Sequence, residues 1–196
     1  MATEQLGMNS VWQGMTQAEL DAAYDQAAYA PNMQDVIARF AKRSDAARNR
    51  IGMPKRYAYG AGENARLDVY SPLSAHAGAP INIFIHGGAW RAGKAKNYAF
   101  PAELFTNVGA CFIPIDFDNV QDCDGDLMPM ARQVRHAIAW VGENAHQLGG
   151  DSGRIHLSAH SSGAHLAGIA LTTDWRAEFG LPPDLIKSAL LCSGIY

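Results

Sequence analysis

Two short runs of this sequence carry residue types suited to acyl chemistry. Ser158-Ala159-His160-Ser161-Ser162-Gly163 lies where an apolar run ending near Ala159 gives way to a helical one beginning at Ser162. A serine on a tight strand-to-helix turn has its hydroxyl pushed clear of the backbone, and its neighbours must be small because strand and helix approach closely there. Ser161 occupies the nucleophile position of such an elbow. Gly163 stands two residues on, and Ala159 takes the place of the first glycine in the usual Gly-x-Ser-x-Gly pattern. Alone, the run reads equally well as a helix cap and packing site. His86-Gly87-Gly88-Ala89-Trp90, directly after the apolar stretch Ile81 to Ile85, shifts that balance. Glycines there let successive backbone N–H groups turn toward one point, the geometry of an oxyanion hole. The expected donors are the N–H groups of Gly88, Ala89 and Ser162. Gly87 shapes the turn, His86 fixes the loop by hydrogen bonding, and Trp90 lines the acyl pocket or simply packs.

The elements that must hold these runs follow from periodicity. Thr16 and Glu19 have capping-box spacing, and Leu20, Ala23, Tyr24 and Ala27 continue at helical intervals up to Pro31. A second helix follows Asn32, with Val36, Ile37, Phe40 and Ala41 on one face and a solvated run of charge at its end. Beyond Pro54 the pattern becomes strand-like. Arg66 to Tyr70 alternates, with Leu67 and Val69 inward and Asp68 and Tyr70 outward, as in a half-exposed edge. Ile81 to Ile85 and Cys111 to Phe117 are apolar on both faces, as buried parallel strands are. One helix fits between them, over Tyr98 to Val108. Leu127, Met130, Val134, Ile138, Val141, Ala145 and Leu148 step by three or four and stop at Gly149-Gly150, giving the clearest helix of the chain. Arg154 to Ala159 predicts another strand, Ser162 to Thr173 another helix, and Ser188 onward a last strand. This alternation predicts right-handed βαβ units: an α/β fold with a mostly parallel sheet covered by helices on both faces. The expected organisation is one incomplete domain, a helical segment over 1–52 and a sheet core over 66–196, with a Ser, Ala, Gly and Pro loop from Ser71 to Pro80.

Composition narrows the function classes. The chain has 196 residues, 16 Lys and Arg against 19 Asp and Glu, and a net charge of −3. That balance argues against nucleic acid or an anionic membrane as partner, since neutralising phosphates needs clustered excess Lys and Arg. Hydrophobic residues make up 48% and charged ones 18%, which suits a packed soluble core. No membrane span and no signal peptide is legible, so the expected compartment is the cytoplasm. Cys111, Cys123 and Cys192 have neither disulfide nor zinc spacing. Asp116, Asp118, Asp122, Asp124 and Asp126 lack the glycine and terminal glutamate of a calcium loop, and read as a solvated loop that caps the next helix. No phosphate-binding glycine motif is present.

The runs Ile83 to Trp90, Ile155 to Ala167 and Leu190 to Tyr196 resemble the α/β-hydrolase fold, and within it the branch of arylformamidase (kynurenine formamidase) and related carboxylesterases. The resemblance implies cofactor-free hydrolysis of a small ester or amide through an acyl-serine intermediate at Ser161, with no metal. It also implies the chain order Ser, Asp, His. Only 35 residues follow Ser161, and the one histidine among them, His165, stands four residues on in the helix that begins at Ser162. Asp174 and Asp184 do not match the acid position, so the acid and base are expected beyond Tyr196, in a longer protein. His160 is expected to point away from the elbow and His165 to pack or cap. His156 and His160 do not converge on a metal, and His76, His136 and His146 face solvent. Two functions compete: a serine hydrolase acting on a small aryl formamide, carbamate or short-chain ester, and a non-catalytic α/β-hydrolase-like module that binds small molecules without a base. Oligomeric state is open, a homodimer included.

Overall fold

The computed structural model describes residues 10–72 and 78–196, which fall into two compact units, one up to Arg39 and one from Phe40. The first contains a short antiparallel pair, β1 (Ser10–Trp12) with β2 (Met15–Thr16), then α1 (Gln17–Ala23), α2 (Gln26–Tyr29) and the start of α3 (Met33–Ile51). Thr16 caps α1 with the expected capping box to Glu19. The single helix predicted to run to Pro31 is instead broken at Asp25. Its carboxylate accepts the Ala27 N–H at 3.0 Å and starts α2 afresh, a competition with the helical ladder that short acidic side chains often win.

The second unit is built on one six-stranded sheet. Its strands are β3 (Lys55–Ala58), β4 (Arg66–Val69), β5 (Ala79–Ile85), β6 (Cys111–Ile115), β7 (Gly150–His160) and β8 (Ile186–Cys192), in the order β3-β4-β6-β5-β7-β8. The last four are mutually parallel, and the β3–β4 and β4–β6 pairs are antiparallel. The inward residues Ile81, Ile83, Ile85, Ile113, Ile115, Ile155 and Leu157 meet α5 (Met128–Asn144) and α6 (Ser162–Leu171) in the main core. The stepped positions Met130, Val134, Ile138 and Val141 of α5 are all fully buried, as their spacing predicts. On the other face Tyr70, Phe84 and Phe112 pack with Phe105 of α4 (Ala102–Asn107) and Ile51 of α3. That face holds an apolar cavity of about 310 Å³ between Phe84, Phe112 and Leu190.

Three local expectations are corrected. β4 is not a half-exposed edge. β3, absent from the sequence reading, covers its flank, and Asp68 and Tyr70 are buried with Leu67 and Val69. The one helix for which Tyr98 to Val108 has room is present as α4, but it starts later, after a 3₁₀ turn, Ala95–Tyr98, because Pro101 offers no N–H and disfavours helix at Phe100. The loop predicted to reach Pro80 already enters β5 at Ala79. The rest of that loop, and His76 with it, lies outside the described residues.

Candidate active site

All the predicted site residues fall at the carboxyl ends of β5 and β7, two neighbouring parallel strands, which is where open α/β sheets place their ligands. β7 ends at His160 and α6 begins at Ser162, so Ser161 alone makes the turn. Its φ of 55° and ψ of −128° lie outside the regions an L-residue adopts freely. Such a conformation costs on the order of 1 kcal/mol or more and persists only where the surroundings impose it. Here the Ser161 N–H donates to the Cys192 carbonyl of β8 at 2.8 Å, and the Ser161 carbonyl accepts the Ala164 N–H at 2.9 Å. Gly163 explains the second small position. A Cβ there would collide with the backbone carbonyl oxygens of Ile85 and His86, so the first turn of α6 sits directly on the end of β5. Ala159 is 2% exposed and packs in the core. Below the elbow, Ser158 Oγ donates to Asn82 Oδ1 at 2.5 Å, a buried tie between β7 and β5 that sequence reasoning missed.

The facing loop is held from below by an aromatic stack. The His86 ring, 1% exposed, lies between Tyr98 (5.3 Å, 11°) and Phe117 (4.4 Å, 12°). Nδ1–H donates to the Gly87 carbonyl at 3.0 Å, whereas Nε2 is buried without a partner among the described residues. Burial holds the imidazole pKa below its ordinary value despite the bond to Gly87, so the ring is neutral. Gly87 then runs against Ser161. A Cβ at that position would lie 2.9 Å from Ser161 Cβ and 2.8 Å from the His160 carbonyl oxygen. The chain turns back at Gly88, whose φ is 138° and whose carbonyl accepts the N–H groups of Arg91 and Ala92 at 2.9 and 3.0 Å. Ala89 and Trp90 follow with φ of 52° and 60°, two consecutive left-handed residues that are not glycine. Among the described residues, the N–H groups of Gly88, Ala89 and Ser162 donate to no other group. Ala89 is exposed and Ser161 half-buried, so this junction is open to solvent. The indole of Trp90 meets the His165 ring edge-on at 5.6 Å.

No general base reaches Ser161 among the described residues. His160 is exposed, His156 bonds Ser188 Oγ at 2.8 Å, and His165 packs on Trp90. Asp174 caps a short helix, α7 (Trp175–Phe179), through the Ala177 N–H at 2.9 Å, and Asp184 pairs with Lys187 at 2.6 Å. Within the acidic cluster, Asp122 and Asp126 cap local turns as expected, but Asp116 is a correction. It is 2% exposed, its carboxylate accepts the Ala95 N–H at 2.6 Å and pairs with Arg56, and its carbonyl accepts the Tyr59 hydroxyl. Asp116 therefore anchors the far end of the 86–95 loop. Arg56 also pairs with Asp68 at 2.6 Å, and the three line a charged cavity of about 780 Å³ with Arg48, Lys94 and Tyr70. Burial pushes the Asp68 carboxyl above its usual range in spite of Arg56. The position of Asp116, at the carboxyl end of an apolar strand, was the one available signal for this role. Among the described residues no group of three or more His, Cys, Asp or Glu could hold a metal.

The parallel strands, the strained serine between strand and helix, and the glycine loop beside it define an α/β-hydrolase fold. Solved structures agree on the fold: a Silicibacter sp. protein (TM-score 0.66, 24% identity, 78% of this chain and 55% of that one) and a thermophilic esterase of Thermogutta terrifontis (TM-score 0.54, 24% identity, 60% and 43%). Residues 67–182, more than half of the chain, match the BD-FAE family, and the chain belongs to it. It is similar to the kynurenine formamidase of Danio rerio (32% identity over 193 residues, 95% of this chain). It is also similar to an isoprenylcysteine alpha-carbonyl methylesterase of Arabidopsis thaliana (34% over 116 residues, 58% of this chain and 26% of the relative). The chain spans 63% of the length of the Danio rerio formamidase.

Proposed function

We propose that the protein is a serine hydrolase cleaving a small ester or amide, with an aryl formamide or short-chain ester as the substrate class. The observation that carries the reading is the pairing of Ser161, strained out of the chain at the elbow, with an abutting loop whose N–H groups are uncommitted. In this reading Ser161 Oγ attacks the carbonyl carbon and the C=O electrons move onto oxygen. The N–H groups of Gly88, Ala89 and Ser162 hold that oxyanion, each worth about 3–4 kcal/mol in a working site. Collapse breaks the C–N or C–O bond, the leaving atom takes up the proton that the base removed from Ser161, and the acyl-Ser161 that remains is hydrolysed by water. The base that takes the serine proton comes from outside the described residues, since an unassisted hydroxyl is a weak nucleophile at neutral pH. The formamidase and methylesterase relatives support an acyl-transfer substrate. No cofactor takes part, and the compartment is the cytoplasm; among the described residues no helix is long and apolar enough to cross a membrane.

The test is intact mass of the purified protein after a fluorophosphonate probe, with Ser161→Ala beside it. One adduct, lost in the alanine variant, supports the reading. No adduct on a folded sample defeats it and favours the binding module, for which the absence of a base beside Ser161 is the supporting observation.

A further inference from the structure

The backbone of Trp90 is gripped at both of the peptide units that flank its Cα. Its N–H donates to Ser162 Oγ at 3.2 Å and its carbonyl accepts the Val120 N–H at 2.7 Å. The two partners belong to different elements, the first residue of α6 and the first of the 3₁₀ turn Val120–Cys123. Ser162 is 3% exposed, so its hydroxyl is a fixed point and not a mobile surface group.

We propose that the Ser162 hydroxyl is a positioning residue that sets the register of the oxyanion loop against the nucleophile. This rests on the serine-hydrolase reading and assigns a side chain to it. The oxyanion donors come from two pieces of chain with no backbone hydrogen bond between them: Gly88 and Ala89 on the loop, Ser162 on α6. Ala89 and Trp90 hold left-handed conformations that alanine and tryptophan leave when free to do so. Something must oppose that relaxation. The bond from Trp90 N–H to Ser162 Oγ runs across the gap, one residue from Ala89 at one end and one from Ser161 at the other. The Val120 N–H holds the next peptide unit, through the Trp90 carbonyl, from the opposite side, so the two units that flank the Trp90 Cα are both fixed. Without the hydroxyl, the Trp90 N–H loses its acceptor and the Ala89–Trp90 peptide is free to turn; Ala89 can then leave its left-handed φ, and that rotation reorients the neighbouring Gly88–Ala89 peptide, whose N–H is the oxyanion donor.

The test compares Ser162→Ala with Ser162→Thr, which keeps an acceptor, and with Val120→Pro, which removes the opposing N–H. Proline suits that position, because it opens a helical turn and Asn119 before it is extended at φ −84° and ψ 161°. Two readouts are taken in the full protein: the rate of Ser161 modification by the fluorophosphonate, and hydrogen exchange of the Trp90 amide. Ser162→Ala is expected to label to completion but about tenfold more slowly, with the loss in the maximal rate and not in probe concentration dependence, and to exchange the Trp90 amide faster; misplacing a donor should cost less than deleting one, which costs about 10²–10³. Ser162→Thr restores both, and Val120→Pro reproduces the slow labelling with Ser162 intact. Labelling of Ser162→Ala at the wild-type rate overturns the proposal and leaves the hydrolase reading standing. An unlabelled wild type defeats the hydrolase reading, and unchanged Trp90 exchange in Ser162→Ala then overturns the clamp as well.

Discussion

The elbow and the loop that faces it both force residues other than glycine into left-handed backbone, yet they hold that strain by different means. At the elbow one residue, Ser161, is pinned between strand and helix, its N–H on β8 and its carbonyl inside α6. The loop strains two residues in succession, Ala89 and Trp90, and relies on scattered anchors: the Ser162 hydroxyl, the Val120 N–H, the Asp116 carboxylate and the stacked His86 ring. Strain carried by secondary structure should yield only when the fold yields. Strain carried by side-chain hydrogen bonds can relax while the core stays intact. Damage to the elbow should therefore appear as lost stability, and damage to the loop as lost activity on a stable protein.

The largest effect belongs to Gly163→Ala. Its Cβ would meet two backbone carbonyl oxygens, neither of which can move without parting α6 from β5. Overpacking against backbone should cost about 3 kcal/mol or more, read as a lower denaturant midpoint or loss of soluble protein. A variant as stable as wild type would mean that the elbow is softer than its geometry. Gly88→Ala sharpens the contrast. The added Cβ would strike the Ala92 carbonyl, at a φ of 138° that alanine does not accept. The loop should open, with labelling of Ser161 slowed about 100-fold for the loss of a donor. The stability cost should stay near 1–2 kcal/mol, because the turn is at the surface and leaves the sheet untouched. Equal losses of stability in the two variants would erase the distinction drawn here.

Much of this arrangement was legible because each signal was local. The parallel strands, α5 and α6, and the two glycine-bearing turns follow from short continuous runs in which period and punctuation agree. The elbow was readable despite Ala159 because Ser161 and Gly163 sit where an apolar run changes period. What escaped depends on partners distant in sequence. β3 has no apolar alternation of its own and becomes a strand by pairing with β4. Asp68 and Asp116 look solvent-facing by sequence and are buried because Arg56 and the loop close over them, and Tyr70 is buried by packing against Phe112. The ties from Ser158 to Asn82 and from Trp90 to Ser162 link residues more than seventy positions apart, which no spacing rule reaches.

Asp116→Asn should have an intermediate effect. The amide oxygen can still accept the Ala95 N–H, but the charge facing Arg56 is gone, and Arg56 is itself about half exposed, so solvent recovers part of the loss. The expected cost is about 1–2 kcal/mol by denaturation, with labelling of Ser161 a fewfold slower as the loop end loosens. Asp116→Ala removes the acceptor as well and should slow labelling further; if it does not, the loop is held by its Trp90 grip alone.

The smallest effect is a pH dependence that separates loop from elbow without changing either. The buried His86 ring has its pKa held below the ordinary 6.5, whereas in the unfolded chain it titrates near that value. Below pH 6.5 the unfolded chain therefore binds a proton that the native protein refuses, and stability falls as the pH drops. Above 6.5 both states are neutral at this residue and its contribution is flat. The slope approaches about 1.4 kcal/mol per pH unit for one proton and ends where the native ring itself protonates. Denaturation midpoints at pH 7.5, 6.5 and 5.5 for wild type and His86→Gln read it. The variant should be less stable at pH 7.5, because its side chain cannot stack between Tyr98 and Phe117, but its stability should decline less on acidification. Parallel declines in the two proteins would mean that the ring takes up its proton in place, and that the loop tolerates a cation where the packing around it leaves no room for one.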